Sequence, residues 1–286
     1  MAFALAPEAT AAGYRLFAFD TIGSTNEEAA ARGRAGERGP LWIVSPHQSG
    51  GRGRRGGSWQ TPSGNLAASL LLTTEVPPAV AATLGFVAGL ALAQALDRCC
   101  GRDIGRGSAL DLGSGAGGFL LKWPNDVLVE GAKLSGILLE TEQRADLSRF
   151  LVIGIGVNTA HAPQGVPYPA TSLVALGYHV EPATLFRALS SEWVALMDLW
   201  AGGRGFPAIR QLWLQRAAGL GRDILVQTGR ESLRGTFETL DDTGQLVVRL
   251  DDGSSRLVTA GDVHFGIAAT GRAAARTGAG EAGVVA

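Results

Sequence analysis

From Ala79 to Leu96 the chain runs eighteen residues without a charge, directly behind Pro77 and Pro78. A helix that is apolar all round must be covered on every side, either by lipid or by the rest of the protein. Length alone would permit a membrane span. Composition argues against one: the stretch is mostly Ala, Gly and Thr, and a proline pair is a natural helix start. It reads as a core helix packed closely through small residues, and no membrane partner is expected. Covering it takes a large core, which 286 residues with 46% hydrophobic side chains can supply.

The flanking pattern is mixed. Residues 14–20 (YRLFAFD) read as a strand, and Ser24-Thr25-Asn26 opens a helix that ends near Gly33. Strands are expected over 41–44, 66–73, 119–123 and 150–157, with a hairpin over 127–139 turning at Glu130-Gly131. Helices are expected over 183–200 and 206–218. From Gly221 the texture changes to short alternating strands broken at Thr243-Gly244 and Asp252-Gly253, the pattern of a small antiparallel barrel. Residues 1–13 are expected to be a flexible lead-in without a secretory signal. Residues 268–286, Ala/Gly/Thr-rich, are expected to be a disordered tail.

Charge is sparse and biased. Net charge is -1, so a global field for nucleic acid is excluded and any positive patch is local. Among 25 basic side chains only two are lysines, Lys122 and Lys133. Arginine is a planar fork that stays charged, whereas lysine is a compact ammonium suited to chemistry at one atom. The adjacent cysteines Cys99 and Cys100 form neither a disulfide framework nor a metal site, which fits a reducing cytoplasm. His47, His161, His179 and His264 show no ligand spacing, and no protein-bound metal is expected.

Four segments carry candidate chemistry. SGGRGRRGGSW at 49–59 suits an anion cradle: glycines permit close backbone approach, and Arg52, Arg54 and Arg55 supply forked donors for phosphate or carboxylate. Alternation places Arg52 and Arg54 on one side, with Trp59 just beyond. KWPND at 122–126 joins Lys122, an aromatic, a rigid proline, Asn125 and Asp126 at a strand end, a corner suited to ribose, phosphate and phosphate-bound Mg²⁺. KLSG at 133–136 places Ser135 on the side of Lys133 and gives a close ligand room at Gly136. GIGVN at 154–158 ends a strand in glycines and Asn158. LDLGSGAGG at 110–118 mimics a glycine-rich nucleotide motif, but the residues before it are too polar for a central strand, and Pro124 forbids a helix after it.

Taken in order, STN at 24–26, Gln48, GRGRRG, Trp59, KWPND, KLSGILLE and GIGVN resemble the biotin protein ligases, and the late AGDVHFG at 260–266 resembles the C-terminal domain of that family. The resemblance implies an α+β fold. A mixed β-sheet with flanking helices, related to class II aminoacyl-tRNA synthetases, would occupy 14–219, and a small SH3-like β-barrel 220–267. It implies that biotin and MgATP yield biotinyl-5'-AMP, whose biotinyl group passes to a lysine of a biotin carboxyl carrier protein. Catalytic roles would fall to Lys133, Arg52 and Arg54. Biotin contacts would come from Ser24, Thr25, Asn26, Gln48, Arg52, Gly53, Arg54, Lys133 and Gly136. Nucleotide contacts would come from Arg54, Arg55, Trp59, Lys122, Asn125, Asp126 and Asn158. Gly57 stands where some members carry another arginine. Too few residues precede Tyr14 for a helix-turn-helix domain, so no nucleic-acid partner is expected, and the enzyme would be a monomer or homodimer. The competing readings are a lipoate or octanoate ligase of the same superfamily, an S-adenosylmethionine-dependent methyltransferase resting on 110–118, and an RNA-binding module resting on GGRGRRGG.

Overall fold

The computed structural model describes residues 2–101, 118–144, 146–229 and 231–265. Most of the glycine-rich segment 101–118 and the whole of 268–286, to which the sequence assigned an insertion and a disordered tail, lie outside the described residues.

In chain order the elements are α1 (Pro7–Ala11), β1 (Arg15–Ala18), α2 (Thr25–Arg34), β2 (Leu41–Ser45), β3 (Leu66–Thr73), α3 (Pro78–Ala82) and α4 (Leu84–Cys99). Then come β4 (Leu120–Lys122), β5 (Asp126–Val129), β6 (Ala132–Gln143), β7 (Arg149–Val157), α5 (Pro182–Trp200) and α6 (Phe206–Leu214). The second sheet holds β8 (Asp223–Gln227), β9 (Ser232–Leu240), β10 (Leu246–Arg249), β11 (Ser255–Val258) and β12 (Asp262–Phe265).

The first sheet runs β1-β2-β3-β7-β6-β5-β4; only β1 and β2 pair in parallel, which makes it the expected mixed sheet. Strand alternation sorts its side chains between two cores. Trp42, Val44, Leu70, Ile153 and Ile155 face α4, α5 and α6, forming the main core. Leu41, Ile43, Leu71, Phe150 and Val152 face α2. The uncharged stretch lies in the main core, with Leu90, Leu92 and Leu96 fully buried.

Three expectations change. The single helix over 79–96 divides at Thr83, where the backbone keeps helical angles (φ -66°, ψ -14°) but Thr83 N bonds the Val80 carbonyl three residues back (3.1 Å); the Thr83 hydroxyl also donates to that carbonyl (2.6 Å) and accepts from Trp200 Nε1 (2.8 Å). Helix α6 ends at Leu214 because residues 216–218 leave it to bond with Leu121 along the edge of β4. The lead-in is structured: α1 packs Ala9 inside, Ala6 N donates to Ser190 Oγ (3.0 Å), and Phe3 meets Phe186 edge-on.

The C-terminal sheet runs β11-β10-β9-β8-β12 and is not closed into the expected barrel, since its edge strands β11 and β12 do not pair. Only residues 259–261 join those two edges, a link that spans roughly 14 Å at most. The sheet therefore curls until its edges lie close together, without a closing ladder. It is fastened to the first domain by Trp123 Nε1, which donates to the buried Gly244 carbonyl (3.0 Å), and by Arg210, which donates to the Leu240 carbonyl (3.0 Å).

Trp123→Phe removes that donor and strands a buried carbonyl, so a loss of about 1–3 kcal/mol is expected in urea denaturation. Unchanged stability would show that solvent satisfies the carbonyl.

Candidate functional site

On the α2 face of β7, Phe150 and Val152 support the helix, and the next two positions on that face are Gly154 and Gly156. Gly136 of β6 pairs directly across from Gly156. The sheet therefore carries a bare strip beyond the N-terminus of α2, and two neighbours lie on it. A Cβ at Gly154 would fall 2.1 Å from Asn26 Oδ1, and one at Gly156 would fall 2.2 Å from Trp59 Nε1. Both positions accept only glycine while those side chains stay in place.

A cavity of about 240 Å³ opens here. Its lining brings together Ser24, Thr25, Asn26, Gln48, Arg52, Gly53, Arg54, Trp59, Asn125, Asp126, Lys133 and Gly136. Helix α2 presents its N-terminus to this space, where backbone N–H groups favour an anion or carbonyl oxygen. Ser24 caps it by accepting from Glu27 N (3.3 Å). A buried relay fixes the next residues. Thr25 N and Oγ1 donate to Gln48 Oε1 (2.7 and 2.9 Å), Gln48 Nε2 donates to Thr61 Oγ1 (3.0 Å), and Ser69 Oγ reaches Thr25 Oγ1 and Asn26 Oδ1 (2.7 and 2.6 Å). Ser69 and Glu140 were not picked out as site residues in the sequence. Glu140 Oε2 accepts from both Asn26 Nδ2 (2.8 Å) and Arg52 Nη2 (2.9 Å), tying the helix to the Gly/Arg loop.

That loop is a small hairpin, with Gly51 bonded to Trp59 and Gly53 to Gly57, and its tip at Arg54–Gly56. Arg52 and Arg54 both line the cavity, as their alternation requires. Arg55 does not; at φ 54° it turns outward onto Asp262. Arg54 Nη1 donates to Asn125 Oδ1 (2.9 Å), and Asn125 Nδ2 in turn donates to the Ile137 carbonyl (2.9 Å). Burial pulls the Arg54 guanidinium below its ordinary value, with Asp262 pushing back; it remains a cation.

Lys133 reaches the cavity by a route that plain alternation does not show. Across the β5–β6 hairpin Val127 pairs with Ser135 but Leu128 pairs with Lys133, so Leu134 is an extra residue, a β-bulge. The bulge puts Lys133 on the side of Gly136, within 3.4 Å of where a Cβ there would lie, while Ser135 is buried outside the cavity lining. Its ammonium pairs with Asp126 Oδ1 (2.7 Å) and lies 5.6 and 5.4 Å from the rings of Trp59 and Tyr168, inside cation–π range. Tyr168, which the sequence reading passed over, is brought there because Lys133 N donates to the Pro169 carbonyl (2.8 Å).

Besides Arg55, two assigned residues stand apart from the main cavity. Asn158 lines a smaller hollow beside it with Gln60, Pro163 and Val166, sharing Ser58, Trp59 and Tyr168 with the larger space. Lys122 lies behind, its ammonium 5.9 Å from the Phe265 ring, and burial lowers its pKa while Asp126 opposes the shift.

This geometry has close relatives. Residues 21–158 match the Biotin/lipoate A/B protein ligase family, and residues 219–266 match the Biotin protein ligase C terminal domain. A biotin–(acetyl-CoA-carboxylase) ligase from Paracoccus denitrificans is 37% identical over 85% of this chain and 97% of its own length. The chain belongs to the biotin protein ligases. A second such ligase, from Mycobacterium tuberculosis, is 30% identical over 84% of this chain and 85% of its own. In fold, this biotin protein ligase is similar to the one from Aquifex aeolicus solved in complex with biotin and ATP: TM-score 0.69, 22% identity, covering 87% of this chain and 97% of that one.

Gly156→Ala is expected to push the Trp59 indole off the sheet, shifting its fluorescence and, since misplacement by ~1 Å can cost about 10²-fold, lowering turnover by that order. Gly154→Ala should act likewise through Asn26. Wild-type fluorescence and turnover in both variants would show that the strip has room to spare.

Proposed function

We propose that the chain activates biotin with MgATP to biotinyl-5'-AMP and then transfers the biotinyl group to a lysine of a biotin carboxyl carrier domain, that of acetyl-CoA carboxylase or a similar carboxylase. The observation that carries this reading is the convergence of Lys133, Arg52 and Arg54 on one cavity floored by the glycine strip and ended by the α2 N-terminus. In the first step a carboxylate oxygen attacks the α-phosphorus, the bond to the β-phosphate breaks, and pyrophosphate leaves. Nucleophile and target are both anionic and repel until cations lie between them. Lys133, steadied by Asp126, places a compact ammonium between carboxylate and α-phosphate, and the two arginines take up charge moving toward pyrophosphate. Mg²⁺, as part of the substrate MgATP, would neutralise charge on the triphosphate. Among the described residues no three carboxylate, His or Cys side chains converge to hold an ion, so these residues would add at most a carboxylate or two.

In the second step the carrier amine attacks the acyl carbon, the carbon–oxygen bond to AMP breaks, and the amine proton leaves to solvent. The mixed anhydride hydrolyses readily, so the Gly/Arg hairpin and Trp59 serve to cover it. Cys99 and Cys100, neither in a disulfide, suit a reducing compartment, and we place the reaction in the cytoplasm. The match of 219–266 to a biotin protein ligase module favours biotin over lipoate.

Pyrophosphate exchange into ATP is the test, run with biotin, with lipoate and with no acid. Exchange should require biotin, and Lys133→Arg should lower it by about 10²–10³-fold. Exchange without an acid, or with lipoate in preference, would overturn the reading, and near-normal exchange by Lys133→Arg would show that charge alone suffices.

A further inference from the structure

Every cation at the site already has a carboxylate partner: Arg52 has Glu140, Lys133 has Asp126, and Arg54 and Arg55 share Asp262. Asp262 differs from the others in its origin. It opens β12 and is the one residue of the C-terminal sheet in the cavity lining. Oδ1 lies 3.6 Å from Arg54 Nη1, and Oδ2 takes Arg55. One carboxylate thus lies against two forked donors at the tip of the hairpin, hydrogen-bonded to Arg55 and at ion-pair distance from Arg54, whose Nη1 donates to Asn125.

Its mounting is firm. Asp262 is paired in register with Gln227 of β8, and the sheet is held to the first domain at Trp123–Gly244 and Arg210–Leu240, neither of which involves Asp262. The arginines, by contrast, stand on an irregular tip where Arg55 holds a left-handed backbone that non-glycine residues seldom adopt. Asp262 and Arg55 are each about half exposed, at 48% and 49%, so the pair is weak enough to exchange.

We propose that Asp262 is a placeholder anion: it holds Arg54 and Arg55 before nucleotide binds and is exchanged for the triphosphate when ATP arrives. The C-terminal domain thereby sets the affinity of the site for nucleotide. The inference rests on the adenylation reading above. A triphosphate carries several charges and more forked acceptor oxygens than one carboxylate, so it wins the arginines. The displaced carboxylate then faces phosphate of like sign, and that repulsion, together with the broken pair, is subtracted from the affinity for ATP. Asp262 acts through the arginines and is a positioning residue.

Asp262→Asn, nearly isosteric and on a half-exposed site, tests this in the full chain, with Asp262→Glu as the charge-conserving control. The first readout needs no reaction: trypsin cleavage after Arg54 and Arg55 in ligand-free protein, followed by mass. Asp262→Asn should be cut about two- to fivefold faster, the range for a half-exposed pair. The second is biotin-dependent pyrophosphate exchange, in which the KM for ATP should fall by about two- to fivefold with kcat unchanged. Asp262→Glu should restore wild-type values in both. Unchanged cleavage in Asp262→Asn overturns the proposal, as does a KM for ATP that is unchanged or raised. Absence of exchange in the wild-type chain would sink the adenylation reading alone, and the cleavage comparison would still decide whether Asp262 holds the arginines.

Discussion

The site depends on a sheet face that is filled under α2 and empty just beyond it. Phe150 and Val152 give way to Gly154 and Gly156 along one strand, and Gly136 extends the gap to the next strand. The cavity exists because those positions carry no side chains, and its walls hold their places because Asn26 and Trp59 lie against the bare backbone. A close-packed interior tolerates few voids, so an opening of this size has to be built in residue by residue. Both edges of the strip are secured by polar contacts, with Ser69 and Glu140 holding Asn26 on one side and the Gly/Arg hairpin carrying Trp59 on the other.

Electrostatics follows from that layout. Cations gathered for anionic substrates repel one another until the substrates arrive, and the ligand-free protein relieves this with carboxylates drawn from different elements: α2 and β6 for Arg52, β5 for Lys133, β12 for Arg54 and Arg55. The pairs keep the side chains extended and aimed, at the cost of competition with the substrates. Distance along the chain does not limit the arrangement, since Arg55 and Asp262 are 207 residues apart.

Local patterns were the legible part. Short β-leaning runs located the strands of the first sheet, Ser24-Thr25-Asn26 marked a capped helix, and the turn at Glu130-Gly131 is where the chain takes two successive positive φ angles. Twelve of the assigned site residues meet at one cavity. Features that arise only once elements pack were not legible. At the division of the helix the Thr83 hydroxyl takes Trp200 as a partner, the early end of α6 needs the edge of β4, and the structured lead-in needs Ser190 and Phe186. Glu140 and Asp262 belong to segments whose pattern was noticed, but nothing local says that a carboxylate there faces an arginine from elsewhere. The open edge between β11 and β12 is likewise a property of the curled sheet and not of either strand.

The bulge at Leu134 makes register itself a carrier of function. Strands have a period of two, and the extra residue is what returns Lys133 to the cavity side after the alternation set by Gly136. Inserting one residue between Lys133 and Gly136, with the bulge kept, would preserve the lysine, the aspartate, the arginines and the glycines. It would nevertheless turn the ammonium to the opposite face of the sheet. In this hairpin, spacing is inherited as strictly as chemistry, and an alignment that scores letters while tolerating a gap would rate as intact a protein whose reactive cation points the wrong way.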